Sequence, residues 1–169
     1  MGLENLLTKA VDMYKNNRIV NINANVLLAA APSIAVATGV SEVMDNMGCS
    51  NQAIVLGAAI SDWVAFIPIH VGLHYRTNRE QFTYENGEFD RSAFARDVAH
   101  VYVTQLPSIG LFYAMAGPLH YYLMAKNIGA VASNQISYWG TMVATRVVHT
   151  VIGLKTGLFE NNNIPNNGV

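Results

Sequence analysis

Four long stretches of the chain are rich in apolar residues and almost free of charge. They cover residues 22–43, 53–75, 94–124 and 128–154. A helix needs about 20 mostly apolar residues to cross the hydrocarbon core of a bilayer, and each stretch is long enough. Prolines inside three of them are compatible with spanning helices, because neighbouring groups can satisfy the freed carbonyls. The pattern predicts an all-α fold, an integral membrane four-helix bundle.

The segment before the first stretch has a different pattern. Apolar residues recur at helical spacing over residues 3–14, and Glu4, Lys9 and Asp12 lie largely off that stripe. The segment is too short and too charged to span a bilayer. We therefore interpret residues 1–20 as an amphipathic helix in the membrane interface. A helix packed on the cytoplasmic face of the bundle would show the same pattern.

A strongly polar segment, residues 76–92, separates the second and third stretches. Within it, Asn86-Gly87 lies among alternating aromatic residues, which is a strong signal for a short hairpin. We predict a small β-hairpin or a tight turn there. The chain then divides into a first transmembrane hairpin (21–75), a loop (76–92), a second transmembrane hairpin (93–155) and a polar C-terminal tail (156–169).

The two predicted hairpins resemble each other. The tripeptide PSI at position 32 recurs at position 107, and Ser61-x-Trp63 recurs as Ser137-x-Trp139, at offsets of 75 and 76 residues. We interpret them as two repeats in parallel orientation, because an even number of spans separates them. Repeats of this kind occur in transporters. An old duplication kept only for packing is the alternative.

The composition fits a membrane protein and excludes some other classes. Hydrophobic residues make up 51% of the chain and charged residues only 12%, against about 25% charged in ordinary soluble domains. A net charge of -1 gives no indication of a nucleic-acid partner. The single cysteine, Cys49, excludes an intramolecular disulfide.

The distribution of basic residues predicts the orientation. If both ends lie on one side, that side holds eight lysines and arginines and the other holds only Lys126. The eight are Lys9, Lys15, Arg18, Arg76, Arg79, Arg91, Arg96 and Lys155. Cytoplasmic loops carry an excess of such residues. We therefore expect a multi-pass protein of the cell membrane with cytoplasmic N- and C-termini.

Two charged residues lie inside the predicted spans. Asp62 falls near the middle of the second, and Arg146 falls slightly to the cytoplasmic side of the middle of the fourth. Charges at that depth are costly unless they are paired or hydrated, so they are candidates for function. We predict that they form a pair, which either binds a zwitterionic solute or fixes helix packing.

Polar residues on the second hairpin are candidates for a polar path between the two halves. They are Gln105, Ser108, Asn134 and Gln135. Hydrogen bonding between helices would explain them equally well. The chain contains no GxSxG, HExxH, GxGxxG or phosphate-loop motif, so we do not predict an enzyme, although a subunit of a membrane enzyme complex would fit.

The histidines raise a separate hypothesis. His70 and His74 are four residues apart on one helical face, and His100 and His149 are predicted to lie toward the same cytoplasmic side. Histidines from adjacent helices can bind zinc or copper or ligate haem. Hydrogen bonding at helix ends is the more ordinary role. We predict no cofactor and retain metal or haem as the less favoured alternative.

Part of the chain resembles a known family. The stretch DVAHVYVTQLPSIGLFYAMAG, followed by AVASNQISYWGTMVATRVV, is similar to the second hairpin of the L-alanine exporter family. The proline of FIPIHVGLHYRT lies in a similar place in the first half. Proteins of that family are small, duplicated, four-helix inner-membrane proteins that export alanine. The resemblance covers about half of the chain and implies the same fold and a transport role.

These observations lead to three hypotheses about function. The first is transport or translocation of a small polar or zwitterionic solute, by a homo-oligomer or together with other membrane subunits in the lipid bilayer. The second is a non-catalytic accessory subunit of a larger membrane complex, for example archaeal ammonia monooxygenase. The third is a helical bundle that binds haem or a metal.

Overall fold

The computed structural model describes residues 3–157, and the predicted polar tail lies outside them from residue 158 onward. The described residues form five α-helices, one short 3-10 helix and no strand, so the predicted all-α fold is confirmed for them. The helices are α1 (Leu3–Asn16), α2 (Arg18–Asn46), α3 (Asn51–Asn78), α4 (Arg91–Ala125) and α5 (Ala130–Lys155), and the 3-10 helix (Arg79–Phe82) follows α3.

Short polar caps set the ends of the long helices. The side chains of Asn17, Ser50 and Asp90 accept hydrogen bonds from backbone N–H groups in the first turns of α2, α3 and α4. Such caps satisfy donors that have no partner within the helix. Gly48 and Asn127 adopt positive φ angles of 71° and 62° in the short loops after α2 and α4. These loops fold α2–α3 and α4–α5 back as two hairpins.

The two hairpins close into a ring of four helices. α2 packs mainly on α3 and α4 mainly on α5, while α2–α5 and α3–α4 contacts join the hairpins. α1 packs on the start of α2, where the Tyr14 hydroxyl donates a 2.6 Å hydrogen bond to Oδ1 of Asn25. The centre of the ring is therefore lined by residues of all four long helices.

The bundle has polar residues inside and apolar residues outside. Among the described residues, 19 polar or charged residues are buried against 17 apolar ones. Large apolar side chains cover the exterior: Val64, Val143 and Val147 are 69%, 68% and 68% exposed. A protein that folds in water buries most of its large apolar side chains, because each gains about 1.5–3 kcal/mol by leaving water. This distribution is typical of a helix bundle surrounded by lipid.

Two helical segments in the described part of the chain are long and apolar enough to cross a bilayer. They are Arg18–Asn46 and Asn51–Phe82, with mean hydropathy 1.7 and 1.8. In α4 and α5, polar residues such as Gln105, His120 and Asn134 lower the mean hydropathy, although all three are buried inside the bundle. The prediction that α4 and α5 also cross a membrane stays a prediction.

The loop before α4 contains a tight turn at Asn86-Gly87. Gly87 has a φ of +83°, and a single antiparallel bridge joins Thr83 to Phe89. The Tyr84 hydroxyl donates a 2.6 Å hydrogen bond to Oδ2 of Asp90. This bond and the hydrogen bond from the N–H of Ala93 lower the pKa of the Asp90 carboxyl. The charged carboxylate therefore caps α4.

Candidate functional site

A small cavity lies at the centre of the ring of helices. It has a volume of about 40 Å³ and is lined by residues of α2, α3, α4 and α5. Its polar lining residues are Asp62, Gln105, Ser108, Tyr113 and Arg146. Apolar residues, among them Val26, Phe66 and Met142, form the rest of the wall. The cavity therefore brings together both charged residues that the sequence placed inside the predicted spans.

Asp62 is only partly satisfied by its neighbours. The residue is 5% exposed, and its Oδ2 accepts a 2.5 Å hydrogen bond from the Tyr113 hydroxyl of α4. Ser33 of α2 also lies beside Asp62, but its hydroxyl donates to the carbonyl of Ala30. Oδ1 has no hydrogen-bond partner in the described part of the chain. A buried carboxylate oxygen without a donor is costly and marks a place where a ligand donor fits.

Arg146 reaches the same cavity from α5. Its Nε and Nη1 atoms are buried and have no hydrogen-bond partner among the described residues. No ion pair joins Arg146 to Asp62 in this structure, and the Tyr113 hydroxyl occupies Oδ2 of the acid instead. The two charged residues thus share a cavity without neutralising each other directly.

The four residues of the predicted polar path fall into two groups. Gln105 and Ser108 line the cavity, and Nε2 of Gln105 and Oγ of Ser108 have no partner among the described residues. Asn134 and Gln135 lie nearer the start of α5 and bind Thr38 of α2. The Thr38 hydroxyl donates to Oδ1 of Asn134 at 2.8 Å and accepts from Nε2 of Gln135 at 2.7 Å. This second group forms a polar clamp between the hairpins.

The four candidate histidines do not gather into one ligand set. His70 hydrogen-bonds to Tyr102 at 3.1 Å, His74 to Asp97 at 2.7 Å and His149 to Asn23 at 3.3 Å. Within residues 3–157, no group of three or more His, Cys, Asp and Glu side chains could hold a metal ion.

A buried polar network at the far end of the bundle was missed by the sequence reasoning. Asp97 of α4 is 1% exposed and accepts from Nη2 of Arg18 at 2.5 Å. Its other oxygen hydrogen-bonds to Nε2 of His74. Nδ2 of Asn78 hydrogen-bonds to Nδ1 of the same histidine and also donates to Oδ1 of Asn21. Asp97 is a carboxylate inside an apolar stretch, so the reasoning that selected Asp62 could have found it.

The cavity lies between these two polar contacts along the bundle. The Thr38–Asn134–Gln135 clamp is nearer the loops at 47–50 and 126–129, and the Arg18–Asp97–His74 network is nearer the loop before α4. A cavity of about 40 Å³ holds one water-sized group, since a water in the liquid occupies about 30 Å³. The arrangement can bind hydrogen-bond donors at Asp62 and acceptors at Arg146.

Comparison of the chain with protein-family models, curated proteins and solved structures found no match in any of the three.

Proposed function

We propose that the chain is a four-span membrane transporter for a small polar or zwitterionic solute, with Asp62 and Arg146 as the binding residues. The observation that carries the proposal is the central cavity. Five buried polar atoms without partners belong to four residues of its lining: one oxygen of Asp62, two nitrogens of Arg146, and one atom each of Gln105 and Ser108. Each such atom costs about 1–3 kcal/mol when left unpaired, so a polar ligand that pairs with them is favoured at this place.

The polar interior and apolar exterior support a membrane location for all four long helices. The exposed valines of α5, Val143 and Val147, have nearly the same exposure as Val64 of α3. In lipid, these apolar side chains are kept away from water, and the polar residues of α4 and α5 remain shielded inside the bundle. The basic residues favour cytoplasmic termini.

The two polar contacts on either side of the cavity suggest how transport proceeds. The Thr38 clamp closes one end of the cavity, and the Arg18–Asp97 ion pair closes the other. Alternate opening of these contacts would expose Asp62 and Arg146 to one side at a time, as repeats related by an axis allow in other transporters.

A reconstituted transport assay tests the proposal. L-alanine is the first solute, because it is a small zwitterion and the stretches quoted above are similar to those of alanine exporters, and other neutral amino acids follow. Proteoliposomes with the wild-type protein should exchange labelled solute, and Asp62→Asn or Arg146→Gln should abolish exchange. Ser61→Ala is the matched control, because Ser61 lies next to Asp62 but its hydroxyl donates to the Ala58 carbonyl of its own helix. Full exchange by Asp62→Asn would refute the assigned site.

The second candidate is an accessory subunit of a membrane complex. The observation that favours it is the size of the cavity, about 40 Å³, which in this state admits no amino acid. A subunit of this kind would be inert alone and would copurify with fixed partners after gentle solubilisation. A wild-type protein that exchanges solute in its purified form rules it out.

A further inference from the structure

An apolar groove runs along the outer face of the bundle beside the central cavity. It has a volume of about 320 Å³ and is lined by Ala59, Ile60, Trp63, Val64 and Tyr113. Ile60 and Val64 are 57% and 69% exposed, so the groove opens to the surroundings of the bundle. In the proposed membrane location, it faces the hydrocarbon core at the depth of Asp62.

Tyr113 separates the groove from the cavity. The residue lines both spaces, and its hydroxyl donates to Oδ2 of Asp62 at 2.5 Å. On the cavity side, Oδ1 of Asp62 has no partner among the described residues. One aromatic side chain therefore lies between the apolar groove and a buried, incompletely satisfied carboxylate.

We propose that the groove is a lateral binding site for a single-chain amphiphilic amine. The apolar chain lies in the groove, and the ammonium group replaces the Tyr113 hydroxyl as the hydrogen-bond donor to Asp62. This site goes beyond the proposed transport of small solutes and depends only on the proposed membrane location. It defines an entry route from the lipid rather than from water.

The chemistry of the site selects a cationic head. The Asp62 carboxylate favours a positively charged donor over a neutral one, since charge-assisted hydrogen bonds are roughly twice as strong. The rings of Trp63 and Tyr113 both line the groove, with centroids 6.3 Å apart. Aromatic faces attract cations. The cavity of about 40 Å³ admits an ammonium-sized group but not the chain attached to it. Arg146 also lines the cavity but forms no ion pair with Asp62, so the ammonium group is expected at the carboxylate and away from the guanidinium.

The second hairpin supplies an internal control. Trp139 corresponds to Trp63 in the predicted repeat, and the two are almost equally exposed, at 38% and 39%. The residue before Trp63 is Asp62, whereas the residue before Trp139 is Tyr138. Trp139 is thus a similarly exposed indole without a carboxylate at the preceding position, so it should not bind the amine.

The two tryptophans also provide the measurement. The chain contains no others, so Trp139→Phe leaves Trp63 as the sole indole fluorophore and Trp63→Phe leaves Trp139. Octylammonium, which like lysine is protonated up to a pH of about 10, is titrated against each protein in phosphatidylcholine nanodiscs. We expect a saturable change in Trp63 emission, an affinity for octanol weaker by about tenfold or more, and no saturable change for Trp139.

Two substitutions distinguish amine binding at this site from non-specific partition of the amine into the bilayer. Asp62→Asn should weaken octylammonium binding about tenfold or more. Ala59→Leu enlarges a residue that lines the groove but not the central cavity, so it should abolish amine binding and retain uptake of small solutes. Equal affinities for octylammonium and octanol, or equal responses of Trp63 and Trp139, would overturn the proposal.

The outcomes also distinguish this site from the transport proposal. Solute uptake that depends on Asp62, without saturable amine binding to the wild-type protein, refutes the lateral site and leaves transport standing. Saturable amine binding that depends on Asp62, without solute uptake, supports the lateral site and refutes transport.

Discussion

Arg18 and Asp97, 79 residues apart in the chain, form a 2.5 Å ion pair between the start of α2 and the start of α4. Their side chains are 10% and 1% exposed, and Asp97 also hydrogen-bonds to His74 of α3. One carboxylate thus joins three helices from both hairpins.

Removal of one partner of this ion pair should destabilise the bundle strongly. Arg18→Gln leaves the buried Asp97 carboxylate without its cation, which we expect to cost about 3–5 kcal/mol. The double variant Arg18→Gln/Asp97→Asn should recover part of this loss, because no uncompensated charge remains. Unfolding in detergent, followed by circular dichroism, measures both effects.

Arg91→Gln is the control for that prediction, since Arg91 is an exposed base at the first turn of the same helix, α4. It should change stability little. If Arg18→Gln proved no more destabilising than Arg91→Gln, the ion pair would have no structural role.

The Tyr113 hydroxyl should stabilise the fold through Asp62. Tyr113→Phe keeps the ring in place but removes the donor to Oδ2, which leaves both carboxylate oxygens without one. We expect a loss of about 1–3 kcal/mol, measured by the same unfolding assay. Tyr121→Phe, at a 41% exposed tyrosine near the end of α4, should be close to neutral. Equal effects of the two substitutions would contradict the account of Asp62.

The Asp90 cap should make the start of α4 sensitive to acid. Hydrogen bonds from Tyr84 and the N–H of Ala93 lower the pKa of Asp90 below its usual value of 3.8. A lowered pKa in the folded state means that the stabilisation is complete above pH 3.8 and is lost as the pH falls through the lowered value. Hydrogen exchange at the amides of Ala93 and Phe94, which bond to the side chain and the carbonyl of Asp90, should show reduced protection at low pH after correction for intrinsic rates.

Asp90→Asn provides the comparison for that measurement. Asparagine is also a good cap but carries no titratable group, so the variant should keep protection at neutral pH and lose its acid dependence. The same acid response in both proteins would assign the effect to another group.

The sequence predicted the helices more closely than it predicted the site. The long apolar stretches predicted four helices whose bounds lie within a few residues of those observed. Hydropathy is informative here because a helix surrounded by lipid or protein needs apolar residues along its whole length. The start of α2 at Arg18, before the apolar stretch at 22–43, follows from the Asn17 cap. Asp62 and Arg146 were identified because charges inside apolar stretches are rare.

The partners of these residues could not be read in the same way. A salt bridge between Asp62 and Arg146 requires that α3 and α5 are each rotated about their axes so that the two side chains meet. The pattern of apolar residues does not determine these rotations. Tyr113 of α4 binds Asp62 instead. Asp97 was overlooked because it lies near the start of its apolar stretch, where it resembles an ordinary residue of a first helical turn.

The sidedness of the loops tests the central claim, a four-span bundle around a polar cavity, most directly. In a Cys49→Ser background, single cysteines replace Met47 and Lys126 in the loops after α2 and α4, and Lys9 and Glu85 on the opposite side. All four positions are exposed. A membrane-impermeant maleimide added to intact cells should label Met47→Cys and Lys126→Cys, and label Lys9→Cys and Glu85→Cys only after permeabilisation. Labelling of Lys126→Cys with the same sidedness as Glu85→Cys would show that α4 does not cross the membrane and would contradict the account.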